Sequence, residues 1–240
     1  MSRPILFAMP VSASEHLTVR LLRSVAFRLR HYAGLAEERL MELRLRQGGG
    51  LAARAIPTWT SKAELRALYH LAAGVPVAGC IVEIGSYLGA STCYLGAGSA
   101  RNDARIICID TWKNETMPEG QRDTFAEFQR NTSGFRDRLI IVRKTSAEVL
   151  PEDLPASIHL AFIDADHSYE ATKADAALIM PRVAAAGIIA FHDTCTFAGV
   201  SRVLGEILAG NEWCLAGHVE NLTWIRPAAL SQWPLPVAGT

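Results

Sequence analysis

The chain has 240 residues, half of them apolar and a fifth charged, with 24 basic and 24 acidic side chains and no formal net charge. That length suits one ordinary domain with an appendage, and the composition excludes a disordered or fibrous chain. The even balance gives no reason to expect a nucleic-acid partner, although the first 60 residues alone hold nine arginines against four glutamates. Cys80, Cys93, Cys108, Cys195 and Cys214 stand singly, without a C-x-x-C pair, which excludes a zinc knuckle or dithiol site and fits the reduced thiols of a cytoplasmic protein. No apolar run approaches the ~18 residues of a membrane span. The opening Arg3 and PILFAMPVSA have the outline of a signal peptide, but the apolar piece is short and broken by Pro4 and Pro10, so a cytoplasmic location is expected.

In chain order, residues 15–47 place Leu21, Leu22, Val25, Leu29 and Tyr32 on one helical face and arginines on the other, with a second helical pattern over 35–46. Gly48-Gly49-Gly50 ends this region. Residues 1–58 are therefore expected to form an N-terminal helical extension, serving as a lid, as a dimer arm in a homo-oligomer, or as helices packed on the surface. Residues 59–240 are expected to form the main domain. Ser61 and Glu64 have the spacing of a capping box and predict a helix through about Ala73.

From there short β-branched runs at 80–84, 105–110, 138–143, 158–164 and 187–192 alternate with helix-length stretches at 89–98, 118–130, 168–184 and 198–210. Residues 213–219 and 222–226, split by Glu220-Asn221, predict an antiparallel hairpin. The expected fold is α/β: a Rossmann-like, doubly wound, mostly parallel seven-stranded sheet closed by a C-terminal antiparallel hairpin.

Ligands of such sheets bind beyond the carboxyl ends of the strands. Four of the five apolar runs end there in acidic residues: Glu83, Asp110, Asp164 and His192-Asp193. The first loop, Glu83-Ile84-Gly85-Ser86-Tyr87-Leu88-Gly89, lacks the G-x-G-x-x-G that admits a pyrophosphate. A less glycine-rich loop behind a carboxylate suits a ligand without phosphate, such as an adenosyl amino acid carrying an ammonium or sulfonium. Asp110, 27 residues after Glu83, is placed to accept hydrogen bonds from ribose hydroxyls.

VEIGSYLG at 82–89, CIDTW at 108–112, TSAEVL at 145–150, FIDADHSYE at 162–170 and IIAFHDT at 188–194 resemble the class I methyltransferases. The likeness is greatest to the bacterial small-molecule and sugar O-methyltransferases of the macrocin and mycinamicin type. It spans Trp59 to Trp224 and implies S-adenosyl-L-methionine as cofactor and a small-molecule hydroxyl as methyl acceptor. By this resemblance Glu83, Gly85 and Ser86 line the methionine part of the cofactor and Asp110 holds the ribose. Thr111 and Trp112 lie beside the adenine, and Ser146 and Ala147 border its far edge. Asp164 also falls at the cofactor. In metal-dependent members the ligand positions correspond to Asp164, His192 and Asp193, and the general base to His167.

A divalent cation would lower the pKa of an acceptor hydroxyl, and a histidine is suited to take its proton near neutral pH. Those relatives carry a carboxylate where this chain has His192, and imidazole suits zinc or manganese better than magnesium. His192 thus reads as a ligand for a softer metal, as a base in a metal-free enzyme, or as a hydrogen-bonded strand-end histidine. Asp166 reads as a further ligand or as solvated. The alternatives are a metal-independent O- or N-methyltransferase with a histidine base, a nicotinamide-dependent oxidoreductase, and an adenosyl-binding protein without catalysis.

Overall fold

A computed structural model describes residues 13–114 and 120–228. The apolar N-terminal piece and the start of the expected 118–130 helix fall partly outside the described residues. Two compact units divide between Leu43 and Arg44. The first is helix α1, Ala13–Gln47, whose last turn belongs to the second unit. The two helical patterns are one continuous helix, because Gly34 sits in it with space around its Cα and no break follows. The helix stops at Gly48-Gly49-Gly50, where Gly49 adopts φ +83°.

The second unit opens with α2, Lys62–Ala73, capped by Ser61. β1 (Cys80–Ile84), α3 (Ala90–Gly98), β2 (Arg105–Ile109), α4 (Phe125–Asn131) and β3 (Leu139–Val142) follow. Then come β4 (Ile158–Ile163), α5 (Tyr169–Ile179), β5 (Val183–Phe191), α6 (Ala198–Ala209), β6 (Trp213–Val219) and β7 (Leu222–Pro227). The strands form one seven-stranded sheet in the order β3-β2-β1-β4-β5-β7-β6. The first five run parallel, while β7 pairs antiparallel with both β5 and β6. The expected helix over 168–184 is shorter: Pro181 converts its end into a single 3-10 turn, and β5 starts at Val183.

Side chains alternate across each strand. Val82, Ile84, Ile107, Ile109, Ile163, Ile189 and Phe191 join Ala176 and Ile179 of α5 and Val200, Val203 and Leu204 of α6 in one apolar cluster. On the other face Glu83 points toward α3, every residue of which is buried. The strand order reverses between β1 and β4, both of which leave their carboxyl ends at the same edge. That crevice is where parallel sheets of this kind place ligands. Among the described residues no helix is long and apolar enough to cross a membrane.

Candidate active site

The loop after β1 is shaped by two glycines and one strained residue. Gly85 (φ +87°) and Gly89 (φ +88°) flank Tyr87, which also holds a positive φ of 45°. Gly85 is required for close approach: a Cβ there would run into the carbonyl of Asp164 at the end of β4. Its N–H donates to Ile109 O at 2.9 Å, so the loop is tied to β2 as well.

Glu83 is fully buried beneath this loop and accepts hydrogen bonds from the hydroxyls of Ser86 (2.7 Å), Ser91 (2.7 Å) and Thr92 (2.5 Å). Burial raises its pKa, and the three hydroxyls oppose that rise. The Glu83 carboxylate is thus enclosed by the chain's own donors. Its immediate product is a fixed loop geometry.

Asp110 follows β2. Its Oδ2 accepts the backbone N–H groups of Ser86 (2.9 Å) and Tyr87 (2.8 Å), and its Oδ1 that of Trp112 (2.6 Å). Tyr87 and Trp112 (φ 53°) are both in the left-handed region, so this one carboxylate clasps two strained loops together. A carboxylate offers about four acceptor positions, so capacity remains for a ligand hydroxyl. Thr111 keeps its hydroxyl on Lys113 N, at 3.2 Å. Trp112 is buried at 1% exposure between Phe125 and Phe128, with ring centroids at 5.1 and 4.8 Å. Its Nε1 has no hydrogen-bond partner among the described residues.

Ser146 and Ala147 lie in a 3-10 turn, Ser146–Glu148, after β3. Ser146 meets Asp175 of α5, a buried carboxyl whose Oδ1 lacks a partner among the described residues. Burial pushes the Asp175 pKa from 3.8 up to about 6, against the smaller opposing effect of the Ser146 hydroxyl. Because the folded state holds this proton more tightly than the unfolded chain, Asp175 costs increasing stability as pH rises from about 4 to about 6. Asp175→Asn should therefore stabilise the protein, with a gain that grows by roughly 1 kcal/mol between pH 5 and pH 7. Urea unfolding at the two pH values measures it, and a gain of equal size at both would sink the explanation.

The remaining predicted residues meet at the ends of β4 and β5. Asp164 follows β4, its N–H donating to Ile84 O at 2.9 Å. Asp193 follows β5 in the left-handed region, φ 60°, a conformation that Asp tolerates better than most residues. One ligand atom each from Asp164, His167 and Asp193 lies within 4.8 Å of the other two. His167 Nε2 is 2.9 Å from Asp193 Oδ2, and its ring stacks on Phe197 at 4.1 Å between centroids. The Asp193 carboxylate raises the His167 pKa against burial, and the two imidazoles hold Asp193 well below the usual carboxylate range despite its own burial.

His192 is 4% exposed and has carboxylates on both sides. Nδ1 lies 3.1 Å from Asp164 Oδ1 and 3.2 Å from Asp193 Oδ2, while Nε2 lies 3.2 Å from Glu64 Oε2. Burial disfavours the charged ring, but Asp164 and Asp193 outweigh it and push the His192 pKa up to about 11. The three carboxylates of Glu64, Asp164 and Asp193 outnumber the two imidazoles they face, so the pocket keeps a negative sign that draws a divalent cation or a sulfonium.

Glu64 and Phe197 are absent from the sequence reading of the site. The capping-box spacing marked Glu64, but only as a helix start. Phe197 carries no local signal; it arrives because α6 packs on the segment after β4, where a Cβ on Gly199 would meet the backbone of His167 and Tyr169.

A methyltransferase-domain family profile matches residues 82–194, which contain the loop after β1, Asp110, Ser146 and the β4 and β5 ends. These residues form a methyltransferase domain. In fold the chain is similar to solved methyltransferase structures. CalS11, a TDP-rhamnose 3′-O-methyltransferase of calicheamicin biosynthesis, is similar with a TM-score of 0.50 and 21% identity over 77% of this chain and 93% of that one. The S-adenosylhomocysteine-bound methyltransferase PaMTH1 of Podospora anserina is similar with a TM-score of 0.56 and 16% identity over 93% of this chain and 99% of that one. In sequence, an uncharacterized protein y4gI of Sinorhizobium fredii is 28% identical over 118 residues, which is 48% of this chain and 13% of that protein.

Proposed function

We propose that this protein is an S-adenosyl-L-methionine-dependent O-methyltransferase acting on a hydroxyl of a sugar or natural-product small molecule, with help from a divalent cation. The observation that carries the reading is the convergence of Asp164, His167 and Asp193 within ligating distance of one another, at the sheet edge that also bears Asp110. The description of CalS11 as a sugar-nucleotide O-methyltransferase and the S-adenosylhomocysteine bound to PaMTH1 agree with it.

In this reading Asp110 accepts from a ribose hydroxyl at the one acceptor position left over from its three N–H donors. Ser86 and Gly85 bound the methionine end, with Glu83 keeping the loop in place beneath them. Ser146, Ala147, Thr111 and Trp112 surround the adenine side. The cofactor supplies a methyl group on a positively charged sulfur. Asp164, Asp193 and His167 would hold magnesium, manganese or zinc, with His167 taking the ligand place first expected of His192. Bound there, a cation would lower the pKa of a neighbouring hydroxyl, so that its proton would be given up more readily near neutral pH. Two carboxylates with one imidazole favour manganese or zinc over magnesium. The exposed apolar side chains of α1, among them Leu22, Leu29 and Tyr32, are read as a surface for a second copy of the chain.

One contact favours a second reading. The 2.9 Å approach of His167 Nε2 to Asp193 has the geometry of a base held by a carboxylate, which would serve a metal-independent enzyme.

Calorimetric titration of metal-stripped protein with S-adenosylhomocysteine, repeated with magnesium, manganese and zinc, separates the two. The expected result is cofactor binding that weakens about 10–100-fold in Asp110→Ala, the effect of losing a charge-assisted hydrogen bond to the ribose. A metal heat is expected as well. Cofactor binding without any metal heat moves the chemistry to the His167–Asp193 pair. Folded protein that binds no adenosyl ligand overturns both.

A further inference from the structure

A glutamate at the third position of a helix serves its capping box from the surface, where one contact to the N-cap N–H suffices. Glu64 does more. It is 2% exposed, and only one of its three polar contacts belongs to the cap. Oε2 accepts Ser61 N–H at 2.7 Å, which fixes the side-chain rotamer from within the helix. With the carboxylate so fixed, Oε1 accepts the N–H of Asn221 in the β6–β7 turn at 2.7 Å. Oε2 also faces His192 Nε2 at 3.2 Å. One buried carboxylate therefore pins the start of α2, the hairpin turn and the end of β5.

The consequence falls on the His192 ring. An imidazole turned over about its Cβ–Cγ bond would exchange carbon for nitrogen at both edges. With Nε2 held by Glu64, Nδ1 must face Asp164 Oδ1 and Asp193 Oδ2. The ring is then a strut that presents one N–H to both carboxylates and limits where their remaining oxygens point. Partners of this outer kind orient metal ligands and commonly govern affinity.

We propose that Glu64 is a positioning residue of the active site, which holds the His192 ring in one orientation and through it sets the Asp164–Asp193 pair. The role for the pair as ligands rests on the function proposed above; the hold on the ring does not.

The test uses the full chain, free of metal and cofactor, labelled with 15N-histidine. In the wild type, His192 should give imidazole N–H resonances protected from solvent exchange, identified by their absence in His192→Gln. In Glu64→Gln, which keeps side-chain size, and in Glu64→Ala, the Nε2–H resonance should be lost. Manganese affinity, followed by electron paramagnetic resonance, should fall roughly 10–100-fold, while S-adenosylhomocysteine affinity stays within about two-fold, a change of at most about 0.4 kcal/mol. Ser61→Ala removes the hydroxyl that caps Glu64 N–H but leaves the Glu64–His192 contact, so it should lower thermal stability and keep both the resonance and the manganese affinity. Unchanged ring signals in both Glu64 variants would overturn the proposal, as would Ser61→Ala reproducing the full effect, since that is the signature of helix anchoring alone. Manganese that fails to bind the wild type sinks the metal reading by itself, whereas the ring signals decide for Glu64 with or without a metal.

Discussion

Asp193→Asn should weaken manganese binding by at least about 100-fold, because it removes a ligand rather than one of the outer partners that cost 10–100-fold. Asparagine is the informative replacement. Position 193 has φ 60°, which Asn tolerates as well as Asp, whereas Ala would add backbone strain of about 1 kcal/mol. The amide keeps the volume and removes the charge that faces both His167 at 2.9 Å and His192 at 3.2 Å. S-adenosylhomocysteine should still bind within a few-fold, since Asp110 and the loop after β1 are untouched. Calorimetry reads both heats on one sample. Undiminished manganese binding in Asp193→Asn would remove Asp193 from the ligand set, and the metal reading with it.

The second large effect is on the fold. Gly85→Ala should destabilise the protein by roughly 3–5 kcal/mol, from a positive φ combined with a collision against backbone. For a chain of this size that corresponds to a drop in Tm on the order of 10 °C. The added methyl would be driven into the carbonyl of Asp164, with Ala165 behind it, and neither can rotate away. Gly120→Ala supplies the comparison. Gly120 has the same φ of +87°, but nothing among the described residues lies within 4 Å of its added Cβ. Its cost should be the backbone part alone, about 1 kcal/mol. Equal losses at the two positions, measured by thermal unfolding, would show that the contact between the β1 loop and the β4 end contributes nothing.

The parts of this protein that were legible in its sequence are those carried by neighbouring residues. The strands at 80–84 and 105–110 showed as short β-branched runs because a strand buried on both faces needs apolar side chains at successive positions. The capping box at Ser61 and Glu64 showed because its partners are three residues apart. The β6–β7 hairpin showed because its turn residues sit between two apolar runs. The boundaries that differed have local causes that pattern alone weighs poorly. Pro181 ends α5 early, and Gly34 is absorbed in α1 because an exposed helix loses only about 1 kcal/mol to a glycine.

The acids at the strand ends were legible for the same reason, since a parallel sheet delivers every strand's carboxyl end to one edge. Their partners were not. Asp110 was expected to face a ribose, and the fold adds that it clasps Ser86, Tyr87 and Trp112. Trp112 was expected beside the adenine, and the fold encloses its ring between Phe125 and Phe128.

The sequence by itself determined the α/β class, the order of its elements, and the acids gathered at one sheet edge. Only the tertiary structure decided which nitrogen faces which carboxylate. His192 meets Glu64 across 128 residues and Asp164 across 28, and Glu64 reaches Asn221 across 157. Periodicity and spacing report which way a side chain leaves its own element. The neighbours it finds depend on how separate elements pack, and that packing set the charge and orientation of His192.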